Sequence, residues 1–70
     1  MRTKDLRKLL RQHGCEPSPA KGSHEKWTTP GGHSTTLKAA AKDQAPGTLR
    51  NIQDALAPEL GERWIEEAQK

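Results

Sequence analysis

The chemistry in this sequence concentrates in one short stretch, Lys21-Gly22-Ser23-His24, with Lys26 two residues further on. A histidine ring changes charge near about pH 6.5, so it can take a proton from a ribose 2′-hydroxyl or return one to a leaving oxygen. Lys21 and Lys26 are cations that can hold a phosphate and offset the charge growing on it, and the Gly22 and Ser23 amides add further donors. Gly22 has no side chain and lets the backbone come close to a ligand. These are the ingredients for cutting RNA. A Gly-Ser-His tripeptide alone also reads as a turn carrying a surface histidine, so the surrounding elements decide its meaning.

The remaining reactive side chains have plainer readings. His13 belongs in the last turn of a helix, where its charged form interacts favourably with the helix dipole. Cys15 is the only cysteine, which excludes an internal disulfide and zinc sites built on cysteine pairs; beside a helix end it reads as a small buried hydrophobe. His33 follows a double-glycine turn and is expected in solvent. His13, Cys15, His24 and His33 show no metal-ligand spacing, so no metal and no cofactor is expected. Trp27 and Trp64 read as packing residues; the acidic neighbours of Trp64 argue against a base-stacking role.

Several elements must position His24. Thr3 is placed to cap a helix whose Leu6, Leu9 and Leu10 fall at the i, i+3, i+4 spacing of one buried face, with Arg2, Lys4, Arg7, Lys8 and Arg11 around it and Gly14 as the stop. Residues 15–20 are extended but proline-bearing, which suits a sheet edge or a loop. His24 to Thr29 alternates, Pro30-Gly31-Gly32 is a turn, and Ser34 to Leu37 returns, giving a hairpin. Period-two geometry then sets Trp27 on one face and His24 and Lys26 on the other. Pro46 opens a second helix burying Leu49, Ile52 and Leu56, Pro58 is expected to break it, and Glu59 to Ala68 is expected as a third helix. Trp27, Leu6, Leu10, Leu49 and Ile52 are expected to share the core.

Seventy residues make one domain with a thin core, without Phe or Tyr. The net charge is +3 but uneven: residues 1–50 hold ten Lys/Arg against four Asp/Glu, and residues 51–70 hold two against five. The first part suits phosphates and the tail does not. No apolar run is long enough to span a bilayer and no apolar signal stretch follows Met1, so no membrane association and a cytoplasmic location are expected.

Taken in order, the marks Lys4-Asp5-Leu6-Arg7-Lys8-Leu9-Leu10, His13-Gly14, Lys21-Gly22-Ser23-His24, Pro30-Gly31-Gly32 and Pro46-Gly47-Thr48-Leu49-Arg50-Asn51-Ile52 resemble the HicA toxins over about residues 3–57. These are small mRNA interferases of bacterial toxin–antitoxin modules. The resemblance implies an α+β fold like a double-stranded-RNA-binding domain: a helix, a three-stranded antiparallel sheet and a helix, here with an extra C-terminal helix. It implies a HicA-like unit over residues 1–57; residues 58–70, outside the resemblance, are read as an acidic helical extension of the same domain. It also implies metal-independent cleavage of mRNA by a catalytic histidine, which maps onto His24, and a HicB-type antitoxin as partner. Three features depart from the pattern. Many relatives carry a second histidine between the third strand and the second helix, and Leu37 to Ala45 contains none. The first strand is made of prolines and small residues, and residues 58–70 inherit no role.

Two other readings compete. A non-catalytic module of the same fold would contact RNA by shape, through 2′-hydroxyls and phosphates. Alternatively, Pro46–Ala57 and Glu59–Ala68 form a helix-turn-helix on DNA, but its recognition helix would carry Glu59, Glu62, Glu66 and Glu67 toward the phosphates.

Overall fold

Three leucines at helical spacing and one tryptophan on a strand organise the molecule. The computed structural model describes residues 1–20 and 22–68. Helix α1 (Thr3–Gln12) buries Thr3, Leu6, Leu9 and Leu10, leaving Lys4, Lys8 and Arg11 exposed and Arg7 half-buried. Thr3 is not its cap: Arg2 occupies that position, with no side-chain hydrogen bond. The 39–44 loop draws Thr3 inward instead. Its amide donates to the Lys42 carbonyl (2.8 Å) and its hydroxyl to the Ala41 carbonyl (2.6 Å), so loop backbone does the work of a capping side chain. The helix ends as expected, with Gly14 at φ +80° just past His13.

Strands β1 (Glu16–Pro19), β2 (His24–Thr28) and β3 (Ser34–Lys38) form an antiparallel sheet in the order β1-β2-β3. The Ala39 amide donates to Ser23 and the Thr29 amide to His33, each at 2.7 Å, extending the β2–β3 ladder at both ends. Antiparallel alternation then turns the backbone groups of Glu25 and Trp27 toward β3 and those of His24, Lys26 and Thr28 toward β1. Pro17 and Pro19 stand opposite Trp27 and Glu25. Their ring nitrogens therefore point away from β2, and neither proline costs the ladder a bond.

Helix α2 (Pro46–Leu60) is followed by the short α3 (Trp64–Ala68). Two expectations fail here. Pro58 lies inside α2 rather than ending it, and Glu59 and Leu60 belong to α2, so the third helix starts at Trp64. Proline removes one donor and crowds the carbonyl four residues back. In the last turn that leaves the following bond intact, from the Gly61 amide to the Ala57 carbonyl (2.9 Å). The extra turn brings Glu59 to the hairpin loop and Leu60 to the core. Buried Gln53 sets the start of α3: its side-chain oxygen accepts the Ile65 and Glu66 amides at 3.1 Å, and its carbonyl accepts the Trp64 indole at 3.0 Å.

The core is Leu6, Leu9, Leu10, Cys15, Trp27, Leu37, Ile52, Leu56, Trp64 and Ile65; Leu49, expected among them, is partly buried and packs against it. Both long helices thus cover the Trp27–Leu37 face of the sheet. The fold is α+β in the double-stranded-RNA-binding-domain manner, with the extra C-terminal helix. No helix among the described residues is long and apolar enough to cross a membrane.

Candidate active site

The uncovered face of the sheet carries Glu16 and Ser18 from β1, His24, Lys26 and Thr28 from β2, and Ser34, Thr36 and Lys38 from β3, all exposed except the half-buried Thr28. His24 opens β2 and Lys26 follows on the same face, as the alternation predicts, while Trp27 is fully buried beneath. The indole of Trp27 donates to Glu25 Oε1 at 2.6 Å, and the Arg11 guanidinium lies 5.7 Å from its ring centre. These contacts fix β2 from below and leave its upper face free.

Gly22 is exposed at φ +65° and Ser23 is exposed, its carbonyl held by Ala39. Lys21 lies outside the described residues. His24 borders two shallow grooves. One runs along β1 past Pro17, Ser18, Pro19, Ala20 and Gly22. The other lies on the β3 side, walled by Thr36, Lys38, Thr48 and Asn51.

Two carboxylates flank the sheet without joining this face. Glu25 points into the helix side, where Arg7 Nε donates to Oε1 at 3.0 Å. Burial raises the Glu25 carboxyl, but the bonds from Arg7 and Trp27 and the charges of Arg7 and Arg11 outweigh it and hold it below the usual carboxylate range. Glu59 grips the hairpin loop: it accepts the Thr29 hydroxyl, the Gly31 amide (3.1 Å) and Nδ1 of His33 (2.8 Å). The bonds from Thr29 and His33 lower its carboxyl against some desolvation, and the Gly31 amide and the charge of His33 add to this.

His33 is therefore not a free solvent histidine; its half-buried ring is tied to α2. It also lies beyond the far end of the hairpin. The pairs His24–Lys38 and Thr28–Ser34 are four residues apart, about 13 Å of strand. His24 and His33 thus stand at opposite ends of the hairpin. His13, at the end of α1, stands edge-on to Trp64 with ring centres 5.6 Å apart. Cys15 is buried, and desolvation together with the Glu59 charge raises its thiol pKa, the condition of an inert cysteine. Among the described residues no three His, Cys, Asp or Glu side chains group closely enough to hold a metal ion.

The sequence reading passed over Lys38, which pairs directly with His24 across the hairpin. Counting outward from the turn centred on Gly31 would have found it, since the two positions lie seven residues either side. It also passed over Gln44, whose contacts depend on the tertiary fold, and gave Glu59 no role.

A family model described as "HicA toxin of bacterial toxin-antitoxin" matches residues 3–59. No curated protein and no solved structure matches the chain.

Proposed function

The chain belongs to the HicA family of toxins from bacterial toxin–antitoxin systems, and from that premise we propose that it is a metal-independent endoribonuclease that cleaves mRNA with His24. The observation that carries this reading is His24 exposed on the bare face of the sheet, next to Lys26 and bordered by open grooves. A catalyst must reach its substrate, and this ring is exposed.

In the proposed reaction, unprotonated His24 takes the proton of a ribose 2′-hydroxyl. The 2′-oxygen attacks the adjacent phosphorus, the bond to the 5′-oxygen breaks, and that oxygen takes a proton from solvent. The products are a 2′,3′-cyclic phosphate and a 5′-hydroxyl end. Lys26 and Lys21 draw the phosphate in, and the Gly22 and Ser23 amides offer donors to its oxygens. Cleavage then requires no divalent metal and persists in EDTA.

The family implies an antitoxin; we assign it the HicB type and propose that it silences the toxin by covering the His24 face. Expression in a bacterial host tests the toxin reading: growth arrests with the parent chain and continues with His24→Ala. A second reading, a non-catalytic RNA-binding module of the same fold, draws on the lack of a second histidine near His24. On that reading both chains bind RNA and neither cuts it.

A further inference from the structure

Building on the ribonuclease reading above, we propose that Lys38 is the cation that holds the scissile phosphate against His24, and that Gln44 positions it there. The hairpin register makes the argument. His24 pairs with Lys38, and the ladder bonds lie one residue outside that pair, between Ser23 and Ala39. His24–Lys38 is therefore a non-hydrogen-bonded pair, the closer of the two antiparallel kinds, with Cα atoms about 4.5 Å apart. Lys26 stands two residues along the strand, about 6.6 Å from His24 at the usual rise. The groove walled by Thr36, Thr48 and Asn51 includes both His24 and Lys38, and its walls do not include Lys26. One phosphate seated there meets both side chains.

Lys38 ends an edge strand, where a backbone ordinarily frays, yet its backbone is held on the outer side. Buried Gln44 accepts the Lys38 amide through Oε1 (3.3 Å) and donates through Nε2 to the Lys38 carbonyl (3.0 Å). The same Nε2 donates to the Thr3 hydroxyl (2.7 Å), tying the clamp to the start of α1. The Lys38 ammonium makes no ion pair with a carboxylate among the described residues, so its three donors are available to phosphate oxygens. As the 2′-oxygen bonds to phosphorus, the 5′-oxygen leaves and the proton passes to His24, Lys38 keeps its own proton. It contributes charge alone, to the non-bridging oxygens.

The test uses the whole chain and a labelled single-stranded RNA. Lys38→Ala is expected to lower kcat/KM for cleavage about 10–100-fold, with a melting temperature matching the parent because the side chain is exposed. Lys38→Arg, which keeps the charge, is expected to recover most of the activity, and Lys26→Ala to lose less than Lys38→Ala. A binding arm runs in the His24→Ala background, where nothing is cut. There Lys38→Ala is expected to flatten the slope of log K against log salt by about 0.7, one phosphate contact on a single strand. Parental cleavage and an unchanged slope in Lys38→Ala overturn the proposal, as does a larger loss from Lys26→Ala. A parent chain that cuts no RNA defeats the ribonuclease reading, and the salt slope still decides whether Lys38 meets a phosphate.

Discussion

At the scale of single residues, the site divides into groups that face solvent and groups that hold them up. Glu25 is the clearest support, accepting bonds from Arg7 and Trp27 beneath the strand that carries His24. Its carboxyl is held low in the folded protein, so it contributes stability that is fully present above its unfolded value, about 4.3, and is lost as pH falls through the folded one. Glu25→Gln is expected to cost about 1–2 kcal/mol at neutral pH, discounted for the partial exposure of both partners. Thermal melts from pH 7 down to pH 3 check the sign. The gap between variant and parent must shrink at the acid end. Cleavage is expected to rise over the same range, because the proposed base acts only when unprotonated.

At the scale of elements, the hairpin is clasped at its loop and its edge strand is anchored by Gln44. Removing the clasp with Glu59→Gln is expected to speed amide exchange at Gly31 and His33, measured by hydrogen exchange, while amides of α1 keep their protection. The packing of α3 sets a larger effect: Trp64→Ala is expected to cost about 3–5 kcal/mol in denaturant unfolding, because Trp64 is buried and bonded to Gln53. Much of this architecture was legible beforehand. The leucine spacing of α1, the stop at Gly14, the alternation around Trp27 and the opening of α2 at Pro46 are local patterns, and local patterns survive folding. What stayed hidden was non-local. Thr3 looked like a cap because its type and place fit, but a loop nearly forty residues away claimed its hydroxyl. Pro58 looked like a stop, yet a proline in a final turn leaves later bonds intact. His33 looked free because its partner, Glu59, comes from another helix. On the candidate site, His24 and Lys26 could be placed on one face by alternation, whereas the pairing of His24 with Lys38 follows only once the hairpin register is counted.

At the scale of the whole molecule, a thin core and a bare cationic sheet face pull in the same direction. A partner that binds only the folded chain raises its apparent stability by mass action, and one that covers His24 competes with RNA. We expect the antitoxin to raise the melting temperature and to displace a labelled RNA from the His24→Ala protein at fixed salt; RNA and antitoxin bound together would place inhibition elsewhere on the surface. Charge complementarity with Lys26 and Lys38 would speed that encounter. The central claim is narrower than this, that His24 on the open face cuts RNA. Its most direct test is cleavage of a defined single-stranded RNA in EDTA by the parent and by His24→Ala, with the product ends identified. The account predicts cyclic phosphate and 5′-hydroxyl ends from the parent and a rate about 10²–10⁴ lower from the variant, with matching melting curves. Equal rates from the two proteins, or a parent active only with added divalent metal, would contradict it.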